Sequence, residues 1–315
     1  AAQIAHDEGI AIPILLGRRE TILQLMEEIE FEADVQIIDP KSDEEEARKN
    51  KYATVYWEQR KRKGVTLYSA QKIMRERNYF AAMMVNEGDA DALISGFSRS
   101  YPSVVKPMLE LIGLAKNATR IATTNLMMTQ RGPMFLSDTS INIDPTAEDL
   151  AKIAQMTART VRMFGLEPVM AMISFGNFGS SPSPRTTKVR DAVKLLHESN
   201  PDLLVDGELQ TDFALNSEML EEMFPFSKLV GKKVNTLIFP SLDSANITYK
   251  LLKELNKSES IGPIMMGMRK PVHILQLDAS VDEIVNMTAI AVIDAQQKER
   301  KELELKASLE NVSAS

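Results

Sequence analysis

Short apolar runs alternate with helical periods along the first part of the chain. Residues Ala11 to Leu16 and Val35 to Ile38 have the length and continuity of buried strands, and Arg18 to Ile29 has the apolar spacing of an amphipathic helix. Helices and strands that alternate at this spacing are typical of a wound α/β sheet. Apolar runs of strand length return at Val169 to Ile173 and at Thr236 to Pro240, so we expect α/β architecture in both halves of the chain.

The pattern between residues 117 and 137 is different, because two apolar runs follow each other with only a turn between them. Ile121 to Met128 and Met134 to Leu136 flank the turn Gln130-Arg131-Gly132-Pro133. A β excursion after a series of α/β units indicates that the chain crosses into a second domain. We therefore expect domain I to contain residues 1–116 and 263–315, domain II to contain residues 117–262, and a ligand cleft to lie between them.

A third pattern lies near the end of the chain. Two apolar runs, Ile261 to Met266 and Val272 to Leu275, precede Ser280, which has Glu283 three residues later and an apolar periodic run behind it. This order predicts a strand, a turn, a strand and then a helix that opens with a capping box. A strand-end loop that leads into a helix N-terminus is where α/β folds commonly bind phosphate and other anions.

Composition narrows the class of protein. The chain has 315 residues, 44% of them hydrophobic and 26% charged, which suits a soluble protein with one large or two medium cores. No apolar run approaches the roughly 20 residues of a membrane helix, and the net charge of −7 argues against general nucleic-acid binding. The histidines are too scattered for a metal site, and the absence of cysteine suits a reducing cytoplasm. The start, Ala1-Ala2-Gln3, lacks an initiator methionine and a signal peptide, as expected of a fragment or an excised domain.

Three polar stretches are candidates for anion binding, and each has a plainer explanation. The basic run Arg60-Lys61-Arg62-Lys63-Gly64 ends a helix, where it either complements the helix dipole or binds a multiply charged anion. Gly88 to Gly96 reads as a turn into a strand whose exit, Ser95-Gly96, lets backbone N–H groups approach a ligand. The Gly/Ser-rich loop from Ser174 to Pro184 also follows a strand, but the chain has neither a G-x-G-x-x-G nor a Walker A motif.

The stretch near the end resembles the C-terminal segment of phosphate acetyltransferases, whose pattern is G-P-I-x-x-G-x-x-K-P-x-x-D-L-S-R-G-x-S-x-x-D-I-V. The residues that match are Gly262, Pro263, Gly267, Lys270, Pro271, Ser280, Ile284 and Val285. Further segments are similar to other motifs of that family, so the resemblance covers about residues 1–296. These segments are the basic run at Arg60, Gly88 to Gly96, Leu204 to Gln210 and Asn246 to Lys250.

The resemblance is closer still to one subset of that family in four segments: Arg99 to Tyr101, Pro225 to Leu229, Lys270 to Ile274 and Asp282 to Met287. This subset is the C-terminal domain of hybrid, multidomain NADP-dependent malic enzymes, in which a malic-enzyme domain precedes a phosphotransacetylase-like domain. The resemblance implies a two-domain, three-layer α/β/α fold of the isocitrate/isopropylmalate-dehydrogenase-like type. It also implies a homodimer or higher homo-oligomer, and a domain that senses acetyl-CoA.

The family's reactive centre is altered in this chain. The resemblance implies a Ser and an Arg that act on acetyl phosphate at the positions of Gln276 and Leu277, with Asp278 next to them, and a general-base Asp at Glu283. Lys106 stands where the resemblance implies a further Arg, so the charge is kept but bidentate geometry is lost. Acetyl transfer needs a base, oxyanion donors and a fixed cation together. We therefore expect no catalytic residues for acyl transfer.

Ligand binding makes fewer demands than catalysis, and the resemblance implies an acetyl-CoA site. Its residues would be Arg60, Ser95, Gly96, Arg99, Lys106, Ser174, Asn246, Lys250, Met266, Pro271 and Gln276. Judged from the residues themselves, Asn246 is explained as well by helix capping and Lys250 as well by a solvated surface position.

We expect a non-catalytic regulatory domain that binds acetyl-CoA and inhibits an NADP-dependent, decarboxylating malic-enzyme domain of the same parent chain. Two alternatives stay open: an active phosphate acetyltransferase with a rebuilt centre, and a dimerisation module without a ligand. The expected partners are acetyl-CoA or CoA, the malic-enzyme domain and further copies of the chain. We expect no metal, nucleic acid or membrane partner, and a cytoplasmic location.

Overall fold

A computed structural model describes residues 1–96, 101–116, 118–256, 259–277 and 279–313 of the chain. The chain divides into two compact units: unit 1 is Ala1–Lys116 with Met268–Ser315, and unit 2 is Asn117–Gly267. The second boundary follows Gly267, not residue 262, because strand β9 (Ser260–Met266) pairs with a strand of unit 2.

Unit 1 is built from two pairs of short parallel strands and the helices around them. Its strands are β1 (Ile14–Leu16), β2 (Gln36–Ile38), β3 (Leu93–Ser95) and β10 (Val272–Ile274), with β1 beside β2 and β10 beside β3. Its helices are α1 (Ala2–Asp7), α2 (Arg19–Glu28), α3 (Glu46–Arg60), α4 (Leu67–Ile73), α5 (Arg77–Glu87), α6 (Tyr101–Leu111) and α12 (Val281–Ser313). The strand expected from Ala11 is shorter than predicted, since it begins at Ile14 and Ile12 is 85% exposed.

The core of unit 1 gathers around α5, whose residues 78–85 are all buried. Phe80 of this helix meets the ring of Tyr52 edge-on at 5.2 Å. On β10, His273 is 1% exposed, and its Nε2 lies 3.8 Å from Asp294 Oδ2 on α12. Burial lowers the pKa of His273 to about 4, although the Asp294 carboxylate opposes this change. His273 is therefore a neutral core residue at pH 7.

Unit 2 is a six-stranded mixed sheet with helices on both faces. Its strands are β4 (Ala122–Thr129), β5 (Gly132–Ser137), β6 (Val169–Ile173), β7 (Leu204–Leu209), β8 (Thr236–Ile238) and β9, in the order β7-β6-β8-β5-β4-β9. Its helices are α7 (Ala147–Met163), α8 (Pro184–Ser199), α9 (Thr211–Leu215), α10 (Ser217–Met223) and α11 (Leu242–Asn256). One face packs against α7 and α8 through residues such as Ile153 and Val193. The other packs against α10 and α11 through Leu220 and Tyr249, which gives three layers, α/β/α.

The direction of the strands determines where polar side chains gather. β5, β6, β7 and β8 are parallel to one another, and β4 alone runs antiparallel to both of its neighbours. The carboxyl ends of the parallel strands therefore meet at one edge of the sheet, where open α/β sheets usually bind ligands. Of the helices described, none combines the length and the apolar composition that crossing a membrane requires.

Most strands and helices expected from the sequence are confirmed. β4 and β5 form the antiparallel pair predicted around the turn at Gln130 to Pro133. The two runs near the end of the chain also form strands, but they do not pair with each other: β9 lies at the edge of the unit 2 sheet and β10 beside β3.

Candidate functional site

In unit 1, the parallel strands β3 and β10 end side by side. Ser95 pairs with Ile274 in the register, and the backbone N–H of Leu275 donates to Ser95 O at 2.8 Å. Gly96 has φ +110°, and a Cβ at this position would lie 2.5 Å from Leu275 O. Only glycine allows this close approach. The strand ends thus bring three expected site residues, Ser95, Gly96 and Gln276, into one small region.

The side chains at these strand ends differ in how they are held. Ser95 Oγ donates to Asn78 Oδ1 at 2.9 Å, and Asn78 is buried on α5. Gln276 is half-buried, whereas the next side chain, Leu277, is 64% exposed. Pro271 is buried, and its carbonyl accepts from the N–H of Leu93 at 3.0 Å, so it starts the strand pair.

The capping box predicted at the start of α12 is confirmed. Ser280 N donates to Glu283 Oε2 at 2.9 Å, and Glu283 N donates to Ser280 Oγ at 3.2 Å. These bonds satisfy two helix N–H groups that would otherwise lack a partner. The Glu283 carboxylate is therefore engaged in holding the helix N-terminus.

Arg60, at the end of α3, belongs to a polar cluster that joins three helices. Its Nη2 lies 3.1 Å from Glu110 Oε1 on α6. Glu110 Oε2 accepts hydrogen bonds from the hydroxyls of Tyr56 on α3 and Tyr79 on α5, at 3.2 and 2.7 Å. We call these four residues the Glu110 cluster. Its ion pair shows that Arg60 does more than complement the helix dipole at the surface.

The Glu110 cluster is largely shielded from solvent. The side chains of Arg60 and Glu110 are 21% and 17% exposed, and both tyrosines are buried. Burial raises the pKa of Tyr56 and of Tyr79 above the usual tyrosine value, and the Glu110 carboxylate adds to the increase. Both hydroxyls therefore stay protonated and keep donating. The buried Nε of Arg60 has no hydrogen-bond partner among the described residues.

The other residues of unit 1 that the sequence predicts for the site either take no part in the contacts above or lie outside the described part of the chain. Lys106 is exposed on α6, four residues before Glu110. Arg99 and Asp278 lie outside the described residues.

In unit 2, the Gly/Ser loop after β6 is hydrogen-bonded to the segment at the end of β7. Ser174 is half-buried, and its N–H donates to Leu209 O at 2.8 Å. Asn177 Nδ2 donates to Gln210 Oε1 at 2.8 Å, while Gln210 N donates to Asn177 Oδ1 at 2.7 Å. The Gly/Ser loop and the segment at the end of β7, which are separate stretches of the sequence, are thus hydrogen-bonded to each other at the carboxyl edge of the sheet.

Beneath that loop lies a fully buried carboxylate. Glu208 is 0% exposed, and its Oε1 accepts from the N–H of Gly179 at 2.7 Å and lies 3.9 Å from Arg190 Nη1. Its Oε2 has no hydrogen-bond partner in the described part of the chain. The carboxylate therefore fixes the tip of the loop from below.

A second polar network, at the end of β5, was missed by sequence reasoning. Asp138 is 3% exposed and accepts from N and Oγ1 of Thr123 at 2.9 and 2.6 Å, and from N of Asn142 at 2.8 Å. Asn246 Nδ2 donates to Thr139 O at 3.0 Å, so Asn246 links α11 to this network and does not cap the helix. The run of short polar residues directly after an apolar strand was the signal that could have revealed it.

Two further residues that were expected in the acetyl-CoA site offer little to a ligand. Lys250 is exposed on α11, as a solvated lysine would be. Met266 is only 5% exposed and packs in the core with Met156 and Ile238, so its side chain offers almost no surface to the apolar slot expected of it. Across the described ranges, no three His, Asp or Glu side chains converge as metal ligands would.

Comparison with known proteins identifies the family. The family model described as phosphate acetyl/butaryl transferase matches residues 1–292. A phosphate acetyltransferase from Thermoanaerobacterium thermosaccharolyticum is 37% identical over 303 residues, which are 94% of this chain and 91% of that protein. The chain belongs to the phosphate acetyl/butaryl transferase family.

Other proteins similar to this chain are much longer. An NADP-dependent malic enzyme from Haemophilus influenzae is 37% identical over 303 residues, which are 95% of this chain but 40% of the malic enzyme. The chain thus spans about two fifths of the length of such relatives. A solved phosphotransacetylase from Streptococcus pyogenes has a TM-score of 0.83 and 36% identity, over 95% of this chain and 89% of that chain. The predicted family and fold are confirmed.

The segment shortly after β10 holds Gln276 and Leu277. Gln276 and Leu277 occupy the positions where the motif leads us to expect Ser and Arg. An amide can donate a hydrogen bond, but leucine supplies neither a donor nor a charge. The structure shows this leucine exposed, so burial does not explain its presence.

Proposed function

We propose that this chain is a non-catalytic regulatory domain that binds acetyl-CoA and inhibits an attached NADP-dependent malic-enzyme domain. The observation that carries the proposal is the exposed Leu277, beside Gln276, at the strand ends of unit 1. This member of the family has an apolar side chain where transfer chemistry calls for a cation.

The altered centre removes more than one catalytic contribution. Loss of one well-placed oxyanion donor lowers a rate by about 10²–10³, and here a hydroxyl and a guanidinium are replaced together. Glu283, at the position of the expected base, has Oε2 bound by the backbone N–H of Ser280 at 2.9 Å. This carboxylate oxygen is therefore already engaged in the cap of α12.

Binding of acetyl-CoA is compatible with the same residues. The phosphates of CoA require cations and N–H donors, which Arg60, Lys106 and the strand exit at Ser95-Gly96 can supply. Leu277 and the half-buried Gln276 offer a surface against which an acetyl group can pack without reacting. Regulation requires that acetyl-CoA bind two states of the whole protein with different affinity, typically by about 1–3 kcal/mol. The malic enzymes among the relatives support the identity of the regulated domain.

Two measurements on the present chain test the proposal. Calorimetry should show saturable binding of acetyl-CoA, and phosphate-dependent release of CoA from acetyl-CoA should stay at background. A double variant, Gln276→Ser with Leu277→Arg, restores the expected pair and serves as the matched control for the assay. Absence of binding heat at millimolar acetyl-CoA would overturn the ligand, and turnover above background by the unaltered chain would overturn the non-catalytic role.

A charge-neutralised pair tests where the ligand binds. Arg60→Gln with Lys106→Gln should weaken acetyl-CoA binding by about tenfold for each substitution, because each lost charge-assisted hydrogen bond contributes roughly 1.5 kcal/mol. Glutamine is preferred to glutamate here, since a carboxylate at position 60 would face Glu110. Unchanged affinity in a folded variant would place the ligand elsewhere.

The second candidate is an active phosphate acetyltransferase with a rebuilt centre. It is favoured by the match to a phosphate acetyltransferase along nearly that protein's whole length. The CoA-release assay separates the two candidates directly. For the regulatory role, acetyl-CoA should lower NADP-dependent malate decarboxylation by a parent protein that carries both domains, and insensitivity to acetyl-CoA would contradict inhibition.

A further inference from the structure

A basic cavity lies at the amino-terminal edge of the unit 2 sheet, opposite the edge with the Gly/Ser loop. It has a volume of about 410 Å³, is open to solvent, and is lined by Arg131, Ser217, Gly231, Lys232 and Lys233. Small-molecule pockets usually measure roughly 300–1,000 Å³. The cavity is therefore large enough for a small ligand, and none of its lining residues takes part in the site proposed above.

The fold itself brings the three cations of this cavity together. Arg131 lies at the turn between β4 and β5, where its N–H donates to Thr129 Oγ1 at 3.1 Å. Lys232 and Lys233 lie a few residues before β8, which begins at Thr236. Because β8 is the parallel neighbour of β5, the amino ends of the two strands are adjacent. Lys233 Nζ lies 3.8 Å from the position that a Cβ at Gly132 would occupy, which places this ammonium at the tip of the turn.

The carboxylates of the described residues do not neutralise the positive charges that line this cavity. Within the described residues, Arg131, Lys232 and Lys233 form no ion pair, although the chain as a whole carries a net charge of −7. Asp212 and Glu218 line a neighbouring cavity of about 600 Å³ that shares Arg131, but neither carboxylate forms an ion pair with it. Like charges held close together repel each other and attract an anion of opposite charge.

From this cluster we propose that the cavity binds a small ligand that carries a diphosphate group. A diphosphate carries roughly two to three negative charges at neutral pH, which matches the three cations. The guanidinium of Arg131 offers a planar pair of donors to phosphate oxygens, and the two ammonium groups act as point charges. The hydroxyl of Ser217 adds a further donor at the cavity wall. None of these residues belongs to the set proposed for acetyl-CoA.

Inorganic pyrophosphate is the probe for the first experiment. Titration calorimetry on the complete chain at low salt should show saturable binding, which weakens as salt rises because the contacts are exposed. The triple variant Arg131→Gln, Lys232→Gln, Lys233→Gln should lose about tenfold or more in affinity. Circular dichroism should show that the variant is folded, because the changes are confined to exposed side chains.

The matched control changes three exposed lysines outside the cavity, Lys72, Lys152 and Lys194, to glutamine, which gives the same change in net charge. Unchanged pyrophosphate binding by this control supports the cavity as the site. Equal weakening of both variants would show that only the overall charge matters, and would overturn the proposal. Absence of saturable binding by the unaltered chain would overturn it as well.

Acetyl-CoA then distinguishes two sources of the diphosphate group. If pyrophosphate still binds in the presence of saturating acetyl-CoA, the cavity takes a separate phosphorylated ligand. If acetyl-CoA displaces pyrophosphate and the triple variant loses both, the cavity holds the diphosphate of CoA itself. The pyrophosphate measurement does not depend on acetyl-CoA, so failure of the proposed regulatory function leaves this inference testable.

Discussion

Replacing Glu110 with alanine should destabilise unit 1 far more than an exposed glutamate would suggest. Glu110 is the common acceptor for Arg60, Tyr56 and Tyr79, so one substitution removes three interactions at once. Both tyrosines are buried, and their hydroxyls would lose their acceptor without gaining water. The guanidinium of Arg60, whose Nε already has no partner among the described residues, would be left only partly exposed.

The magnitude follows from these three contacts. A hydrogen bond to a charged acceptor contributes about 1.5–3 kcal/mol when buried. The 2.7 Å bond from Tyr79 belongs in this range, whereas the 3.2 Å bond from Tyr56 is weaker. The ion pair adds about 1 kcal/mol at most, because its groups are about one fifth exposed and partly screened. We expect Glu110→Ala to lower the free energy of unfolding by about 3–4 kcal/mol.

The single tryptophan makes this loss measurable in one unit. Trp57 follows Tyr56 on α3 and is the only tryptophan in the chain, so its fluorescence reports the unfolding of unit 1. Urea titrations of the parent and of Glu110→Ala, followed by this fluorescence, give the difference in free energy.

Two matched variants separate the contributions to the Glu110 cluster. Arg60→Gln removes only the ion pair and should lower the free energy of unfolding by about 1 kcal/mol. Tyr79→Phe removes one hydroxyl together with its bond to the charged carboxylate and should have an effect of about 1.5–3 kcal/mol. A loss below about 1 kcal/mol for Glu110→Ala would refute the reasoning, since it would mean that water replaces the carboxylate in the folded state.

Three further predictions follow from single residues. Protonation of His273 favours the unfolded chain, because the pKa of this side chain is about 4 when folded and 6.5 otherwise. The free energy of unfolding should therefore fall by about 3 kcal/mol as the pH drops from 6.5 to 4. In urea titrations at several pH values, His273→Asn should show a smaller change. Gly96→Ala should destabilise by about 3 kcal/mol or more, because its Cβ meets a carbonyl. The control Gly88→Ala, with φ +84° and open space, should lose only about 1 kcal/mol, and equal losses would contradict the steric argument. Ser280→Ala should cost about 1 kcal/mol in thermal or urea unfolding by removing the cap of α12, and no change would mean that the capping box does not stabilise the helix.

Local features of this chain were predictable because their causes are local. The capping box at Ser280 depends on residues three apart, and the strand from Val169 to Ile173 depends on a short apolar run between turn residues. The close approach at Gly96 could be anticipated only in part. A glycine at a strand exit suggests unusual backbone geometry, but the carbonyl of Leu275 that enforces it comes from a distant part of the chain.

Pairings between distant residues were the part that could not be predicted. The sequence pattern shows Arg60 at the end of a helix but gives no sign that Glu110 lies opposite it. The link from Asn246 to the carbonyl of Thr139 is hidden for the same reason, and helix capping was the simpler local explanation. Sheet order has this character too, since β9 and β10 are neighbours in sequence but belong to different sheets. The family resemblance supplied the fold where periodicity could not.

The division of the chain has a consequence for the order in which it folds during synthesis. Unit 2 is one continuous segment, so all six strands of its sheet have been made by the time Met266 leaves the ribosome. Unit 1 must wait longer, because β10, the partner of β3 among the described residues, is made only after unit 2. Contacts between distant segments form slowly. The nascent chain therefore carries a complete unit 2 and an incomplete unit 1, which leaves the edge of β3 exposed to chaperones or to other chains until β10 has been made.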